Sequence, residues 1–501
     1  MAEHIGHFIS GKHEAGSGTR TGPVFNPSTG EEIARCAYAD RATLDRAVTA
    51  ATEAGQRWGR ASHATRQSVI FKLRELMIAN IDMLAETIGR EHGKTTADAK
   101  GEIARAIEAI EFATNAPHVT KGEYATNVGG DIDVFSMRVP IGVVGCITPF
   151  NFPIMVPAVM TAMAVAVGNG VVWKPSEKVP SAALEFARLW QEAGLPDGVF
   201  NVVQGDKEVV DGMLEHPGIA GVSFVGSTTV GEYIYQKGTS HNKRVAAFAG
   251  GKNHMVVMPD ADLEAAANAF VSAGYGSASQ RCMAVSLLLP VGTETAKRLR
   301  ELVVPKIQAL KVGAYDDPAA DFGAVISAQS KLAVERAIGD CVDAGGELVI
   351  DGRELSVPGH ARGYYLGPTL IDHVTWDMEF YKEEVFGPAR GIMRAATLDE
   401  AIAITNRHAY GNGAVIFTRD GKSAHRFTNE IESGMVGINV PVPLPVGYFN
   451  FGGLRRSKFG ESHLYGPDAA RFYTKLKTVS QRWPEPDQKA LPISLAFSGS
   501  A

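Results

Sequence analysis

Residues 277–286 (SASQRCMAVS) set one cysteine, Cys282, among small residues and directly after a fixed cation, Arg281. A free thiol is mostly protonated at neutral pH, and a nearby cation or oriented backbone amides lower its pKa towards a usable thiolate. Cys282 is therefore a candidate nucleophile; the alternative for a cysteine with small neighbours is an inert core residue. Two further stretches could hold an anionic or polyhydroxyl ligand. Lys174-Pro175-Ser176-Glu177 offers a cation and a carboxylate able to bond ribose hydroxyls, with Lys178 beside them. Residues 224–231 (FVGSTTVG) form a glycine turn opening a helix, whose free amides suit a pyrophosphate. This is neither a Walker loop nor a G-x-G-x-x-G motif, and a plain strand-to-helix turn also explains its glycines. The adjacent acids Glu383 and Glu384 read either as a solvated loop or as part of a site, and Arg105 as a solvated cation on a helix face.

The elements that must position these residues follow from periodicity. Leu44, Ala47, Val48 and Ala51 recur at helical spacing, a second helix runs from Ser62 towards Asn80, and the first hundred residues read as mainly helical. A long helix from Lys94 to Glu111 carries Ile103, Ile107 and Ile110 on one side and Arg105 elsewhere. Residues 120–137 break this pattern around Gly129-Gly130 and read as a hairpin, either a surface feature or an arm reaching another subunit. From 143 to 248 short apolar strands at 143–147, 171–174, 199–203, 222–225 and 245–248 alternate with helices such as 181–193, which has a good N-cap. That alternation predicts a doubly wound parallel sheet, which binds ligands beyond the carboxyl ends of its strands. After Gly250-Gly251-Lys252-Asn253-His254 come a helix at 262–275 and a second α/β run with strands at 287–291, 366–371, 414–417 and 436–440. The end, FYTKLKTVSQRW, is strand-like, and the polar tail beyond Trp483 is expected to be loosely ordered.

Composition bounds the function classes. At 501 residues the chain exceeds one hydrophobic core, so two large domains are expected. Hydrophobic residues at 45%, charged residues at 21% and a net charge of −6 describe an ordinary globular protein with no basic stripe for nucleic acid. Four cysteines, Cys36, Cys146, Cys282 and Cys341, are too sparse for a disulfide framework and lack metal-ligand spacing, so no metal is expected and a reducing compartment fits. The N-terminus has neither an apolar signal core nor an acid-poor transit composition, which makes the cytoplasm the default. The uncharged run 154–173 approaches a membrane span in length, but Pro157 and Gly168-Asn169-Gly170 divide it into a buried helix, a turn and a strand.

Taken in chain order, these pieces resemble the aldehyde dehydrogenase superfamily over nearly the whole length. Pro149-Phe150-Asn151-Phe152-Pro153 matches the segment carrying the family's oxyanion asparagine, Lys174 to Glu177 its ribose-binding strand end, and Phe224 to Ser227 its pyrophosphate turn. Gln280-Arg281-Cys282 matches its nucleophile, and Glu384 to Pro388 its nicotinamide-side glutamate. Hydrolytic members carry a general-base glutamate two residues before Gly-Gly-Lys, where this chain has Phe248, a ring that cannot deprotonate water. The Lys252-Asn253-His254 run, the Arg281 to Ala284 run and the closing segment look like the CoA-acylating branch, the methylmalonate-semialdehyde (malonate-semialdehyde) dehydrogenases. Arg105 and Arg281 stand where that branch carries two characteristic arginines.

The resemblance implies catalysis by Cys282 and Asn151, with the substrate carboxylate on Arg105 and Arg281. It places NAD on Thr148, Phe150, Lys174, Glu177, Lys178, Ser227, Ala249 and Glu384. In this reading the thiolate attacks the aldehyde, Asn151 and the Cys282 amide hold the oxyanion, and hydride passes to NAD. Coenzyme A then takes the acyl group, and carbon dioxide leaves because the carboxylate is β to the thioester. The alternative within the family is a hydrolytic enzyme that recruits Glu384 or Glu461 as base; a non-catalytic, dehydrogenase-like subunit is the alternative outside it. The implied architecture is a Rossmann-type NAD-binding domain (1–119 and 139–247) and an α/β catalytic domain (248–445). A β oligomerisation arm with the C-terminal segment (120–138 and 446–501) is expected to build a homotetramer, a dimer of dimers.

Overall fold

The structure is a computed structural model that describes residues 3–16, 20–129 and 131–483. At the centre of the first sheet lie parallel strands in the spatial order Arg244–Phe248, Ile219–Val225, Val143–Ile147, Gly170–Lys174, Phe200–Val202. Val143–Ile147 and Gly170–Lys174 are buried at every residue, as strands covered on both faces require. The chain starts in the middle, builds to one side, and then returns to the other side of the Val143–Ile147 strand. Each strand lies within a few residues of its expected place.

The N-terminal expectation needs correction. Helices Arg41–Trp58, His63–Ala79, Ile81–His92 and Thr96–Ala113 bear out the helical reading only from residue 41 onward. Before them, His7–Ile9 and Lys12–Glu14 extend the edge of the first sheet, and Glu3–Ile5, Thr21–Asn26 and Glu31–Ala37 make a small sheet of their own. Strands of three residues carry too little periodicity to be read. The caps that local chemistry predicts do form: the side chains of Ser62 and Thr95 accept the amides of Thr65 and Asp98. Helix Ser181–Glu192 lacks the expected cap. Pro180 occupies the cap position, and the Ser181 amide donates instead to the distant, buried Glu91 carboxylate at 3.1 Å.

The second sheet runs Glu347–Ile350, Thr369–Asp372, Ala389–Ile392, Val285–Pro290, Asn253–Val257, Gly413–Phe417, Met435–Ile438, parallel throughout except at Glu347–Ile350. Asn253–Val257, near its middle, has no counterpart in the sequence reading, because it begins with two buried polar residues, Asn253 and His254. The two sheets have separate apolar cores, the second drawn from Met255 to Ile431. Residues 249–252 carry the chain directly from the carboxyl end of Arg244–Phe248 to the amino end of Asn253–Val257. Carboxyl ends of the first sheet thus meet amino ends of the second.

The hairpin of Tyr124–Ala125 and Asp133–Pro140 is joined by Thr474–Gln481, which pairs along the whole of Asp133–Pro140. Other parts of the C-terminal segment serve the first sheet: Lys458–Phe459 pairs with Arg244–Phe248, and helix Gly466–Phe472 packs on helix Met155–Ala166. Gly130 and the tail beyond Trp483 lie outside the described residues. Helix Met155–Ala166 is buried along its length, and no helix among the described residues is long and apolar enough to cross a membrane.

Candidate active site

Cys282 follows a strained turn. Ser277, Ala278 and Ser279 stand at φ of 57°, 50° and 60°, the left-handed region that costs an L-residue about 1–2 kcal/mol. Such a turn persists only when its surroundings hold it. Arg390, 1% exposed, donates from Nε to the Gly274 carbonyl at 2.9 Å and to Ser279 Oγ at 3.2 Å, and from a terminal nitrogen to the Gly387 carbonyl at 2.7 Å. On the other side of the thiol, the amides of Asn253 and Asn412 both donate to the Cys282 carbonyl at 2.9 Å. The turn around Cys282 is thereby held from two strands of the second sheet and from Asn412, just ahead of a third.

Asn151 reaches the same loop from the first sheet: its Nδ2 donates to the Gln280 carbonyl at 3.0 Å, leaving a second N–H of that amide for a ligand. A fully buried ion pair supports Asn151. Lys94 Nζ lies 2.8 Å from Glu102 and donates to the Asn151 carbonyl at 2.5 Å. Glu102 also accepts the Ile154 and Met155 amides, at 2.7 and 3.1 Å, at the start of helix Met155–Ala166. Glu102 and Arg105 share helix Thr96–Ala113, so one helix both props the asparagine and carries the distal cation.

The thiol opens into a chamber of about 40 Å³ lined by Met155, Val156, Val159, Met160, Val225, Phe248, Ala249, Phe451, Leu464 and Tyr465. No carboxylate lines it. Phe248 is 5% exposed and meets Phe451 edge-on at 5.8 Å, so the position of the family's base is filled with packed hydrocarbon. Burial, and secondarily the Glu384 charge, pushes the Cys282 thiol up to about 12, while its own amide and that of Met283 pull the other way. The folded site therefore stores a thiol rather than the ready thiolate that its neighbour suggested. Arg281 does not supply the missing charge, since its guanidinium pairs with Asp98 and lies against Gly276, where a Cβ would come within 2.7 Å of it.

Arg105 pairs with Glu108 at 2.7 Å and lines a second, narrow chamber of about 10 Å³ that shares Met155 and Tyr465 with the first. Glu461, the other suggested base, is exposed; its carbonyl accepts Lys458 Nζ at 2.8 Å, and it does not line the chamber.

The cofactor candidates gather at the carboxyl ends of the first sheet, where a parallel sheet binds its ligands. Lys174 and Glu177 pair at 3.2 Å, the carboxylate a third exposed. Ser227 heads helix Thr228–Ser240 without a side-chain cap bond, which leaves both its hydroxyl and the helix amides to an anion. Phe150 packs edge-on against Phe386 at 5.9 Å and carries Lys178 Nζ at 5.6 Å over its ring, joining the first sheet to the Glu384 loop. Glu384 abuts Gly250, where a Cβ would sit 2.7 Å from its Oε2. Burial raises the Glu384 carboxyl to about 7. Thr148 spends its hydroxyl oxygen on the Trp173 indole at 2.9 Å, and the Ala249 amide is taken by the Ser457 carbonyl at 2.8 Å. Thr148 keeps its own O–H as a donor after accepting the indole, whereas Ala249 has no side-chain donor.

Several supporting residues escaped the sequence reading: Lys94, Glu102, Asn253, Lys252, Arg390, Asn412 and Tyr465. Lys252 is the plainest case, its ammonium buried, lowered to about 7 by desolvation, and bonded to the Phe380 and Glu383 carbonyls just ahead of Glu384. A signal existed for Arg390, a lone charge inside an otherwise apolar strand, and for Lys252 and Asn253 in the run that marks the resemblance.

A doubly wound cofactor sheet meeting a second sheet at an amide, a half-buried thiol and a glutamate is the arrangement of one class of enzymes. The chain belongs to the aldehyde dehydrogenase family, which matches residues 14–479. Among individual relatives it is 50% identical over 479 residues, 96% of each chain, to the malonate-semialdehyde dehydrogenase of Pseudomonas aeruginosa. It is 42% identical to the acylating, mitochondrial methylmalonate-semialdehyde dehydrogenase of Arabidopsis thaliana, over 99% of this chain and 81% of that one. The fold matches the crystal structure of the methylmalonate-semialdehyde dehydrogenase of Oceanimonas doudoroffii with a TM-score of 0.95 at 48% identity, covering 97% and 99% of the two chains. A Sinorhizobium meliloti structure described as a methylmalonate-semialdehyde dehydrogenase complexed with NAD gives a TM-score of 0.96 at 45% identity, with coverage of 97% and 99%.

Proposed function

We propose that this chain oxidises malonate semialdehyde, methylmalonate semialdehyde or both, with NAD and coenzyme A, releasing carbon dioxide, NADH and acetyl-CoA or propionyl-CoA. The observation that carries this reading is the packed Phe248 ring beside Cys282 in a chamber walled without a carboxylate. A thioester formed there has no general base to activate water, which leaves an external thiol as its acceptor.

In this proposal Cys282 loses its proton and attacks the aldehyde carbon. The free N–H of Asn151 and the Cys282 amide hold the oxygen as it gains charge. NAD, when bound, takes the hydride. The residues that fit it are Glu177 and Lys174 for a ribose, the uncapped helix start at Ser227 for the pyrophosphate, and Glu384 with Phe150 for the nicotinamide end. Thr148 and Ala249 support it through packing and backbone. Loss of carbon dioxide from the β-carboxylated thioester leaves an enolate whose oxygen sits where the oxyanion sat, and a proton from water completes the acyl group. The thiol of coenzyme A then attacks the thioester, and Cys282 departs as thiolate. Arg105 serves the distal carboxylate; Arg281, paired with Asp98, shapes the nucleophile turn.

The division of labour follows the two cores: 1–119 with 139–247 for the cofactor, 248–445 for the chemistry, and 120–138 with 446–501 for assembly into a dimer of dimers. All four cysteines are free, which supports a reducing, cytoplasmic setting. The test follows NADH with each semialdehyde, with and without coenzyme A. Without it, a burst near one equivalent per site should precede slow turnover, and its addition should restore steady rates. Rapid steady NADH formation without coenzyme A would instead favour hydrolysis, with Glu384 as the nearest carboxylate.

A further inference from the structure

Apart from the thiol itself, the chamber beside Cys282 has one polar side-chain group on its wall, the phenol of Tyr465. The same side chain lines the outer chamber with Arg105 and Glu108, so it stands between nucleophile and distal cation. Its position is fixed: the ring stacks on Phe451 with centroids 5.6 Å apart and planes at 29°, and Phe451 in turn abuts Phe248. The Tyr465 hydroxyl makes no hydrogen bond among the described residues and, on a half-buried side chain, is not sealed from solvent, so it is open to a ligand.

We propose that Tyr465 is a specificity-determining residue whose hydroxyl donates a hydrogen bond to the carboxylate of a semialdehyde held at Cys282. The inference rests on the proposed function and names the donor that reads the carboxylate inside the apolar chamber. A three-carbon semialdehyde with its carbonyl at the thiol must direct its carboxylate along the chamber, and the phenol is the donor common to both ends of that path. Arg105 cannot act alone at such depth, because one of its terminal nitrogens is already committed to both Glu108 oxygens, at 2.7 and 3.1 Å. Arg281 faces Asp98 and does not line the chamber. Burial raises the phenol above its ordinary value, with the Arg105 charge only a partial offset, so the hydroxyl keeps its proton and remains a donor. A neutral donor inside and a cation outside hold the charge without stranding a bare guanidinium in hydrocarbon.

The test is Tyr465→Phe, which keeps the ring and its stacking. KM for malonate semialdehyde should rise about ten- to a hundredfold, the fold-change of a charge-assisted hydrogen bond, while kinetics with propanal stay unchanged. Malonate, used as a competitive ligand in calorimetry, should weaken by a similar factor. Arg105→Leu in the Tyr465→Phe background should cost less than it does alone, since both side chains hold one group. Equal losses with malonate semialdehyde and propanal would make Tyr465 a packing residue and overturn the inference, as would an unaltered KM and malonate affinity. If the variant melts early, the native protein's malonate affinity measured against that for propionamide decides: no preference for the dianion overturns it. A native enzyme that takes propanal as readily as malonate semialdehyde would bring down the proposed function and this inference together. A native preference that survives Tyr465→Phe would bring down the inference alone.

Discussion

A thiol raised to about 12 and an asparagine with one donor to spare describe a resting site that is positioned rather than charged. The geometry is in place before substrate arrives, and the charge must be created during the reaction. Cys282→Ala should therefore abolish both NADH formation and the acyl adduct seen by intact-mass measurement, with no change in unfolding midpoint; substantial residual turnover would refute Cys282 as nucleophile. Asn151→Ala removes one of two oxyanion donors and should lower kcat by about 10²–10³. Initial rates at saturating substrate check it. Cys282 was readable as a residue type among its neighbours, and Asn151 only through the family resemblance. What no pattern held was their electrostatic state, because the pKa of a thiol depends on how completely water is excluded by Met155, Phe248 and Tyr465, which come from three separate parts of the chain.

At the scale of elements, the site depends on a few buried charges that tie helix starts and turns together. Lys94 and Glu102 lie at 1% and 0% side-chain exposure, and between them they hold the Asn151 carbonyl and the first amides of helix Met155–Ala166. Lys94→Met leaves the Glu102 carboxylate buried without its partner, and breaking such a pair typically destabilises by about 3–5 kcal/mol. Urea unfolding should show that loss, and kcat should fall as Asn151 loses its support. A variant as stable and active as the native chain would show that the asparagine loop stands without the pair. Helix periodicity revealed the Thr96–Ala113 helix and its apolar side, yet the same periodicity left Arg105 as a solvated face residue and gave Glu102 no role. Only packing against Met155–Ala166 separates the buried Glu102 from the partly exposed Arg105.

Over the whole molecule, the arm leaves apolar surface in the open. Tyr124, Met137 and Leu476 are 58%, 38% and 59% exposed, and Ile438 and Val440 at the free edge of the second sheet are 43% and 50% exposed. Unpaired strands with apolar faces invite strand addition by another chain. Light scattering at micromolar concentration should give a mass that is a multiple of the chain's, and a monomeric mass would refute the assembly. Placing a charge on the arm's apolar face, as in Leu476→Glu, should shift the mass downward.

The sequence by itself determined the order of elements, the two α/β runs, the candidate thiol, amide and strand-end carboxylate, and the missing base at Phe248. The element order, the thiol and the strand-end carboxylate are local matters of periodicity, turn chemistry or residue type, while the amide of Asn151 and the missing base at Phe248 were legible only through the family resemblance. Only the tertiary structure decided that Arg281 spends its charge on Asp98, that Thr148 turns its hydroxyl to Trp173, and that Tyr465 stands between Cys282 and Arg105. The Arg281 and Tyr465 placements join distant parts of the chain and the Thr148 bond joins neighbouring strands of one sheet, so each side chain's partner is set by which surfaces meet when the cores close. The strand Asn253–Val257 shows the same limit, since its polar first residues make sense only once they are seen gripping the Cys282 backbone.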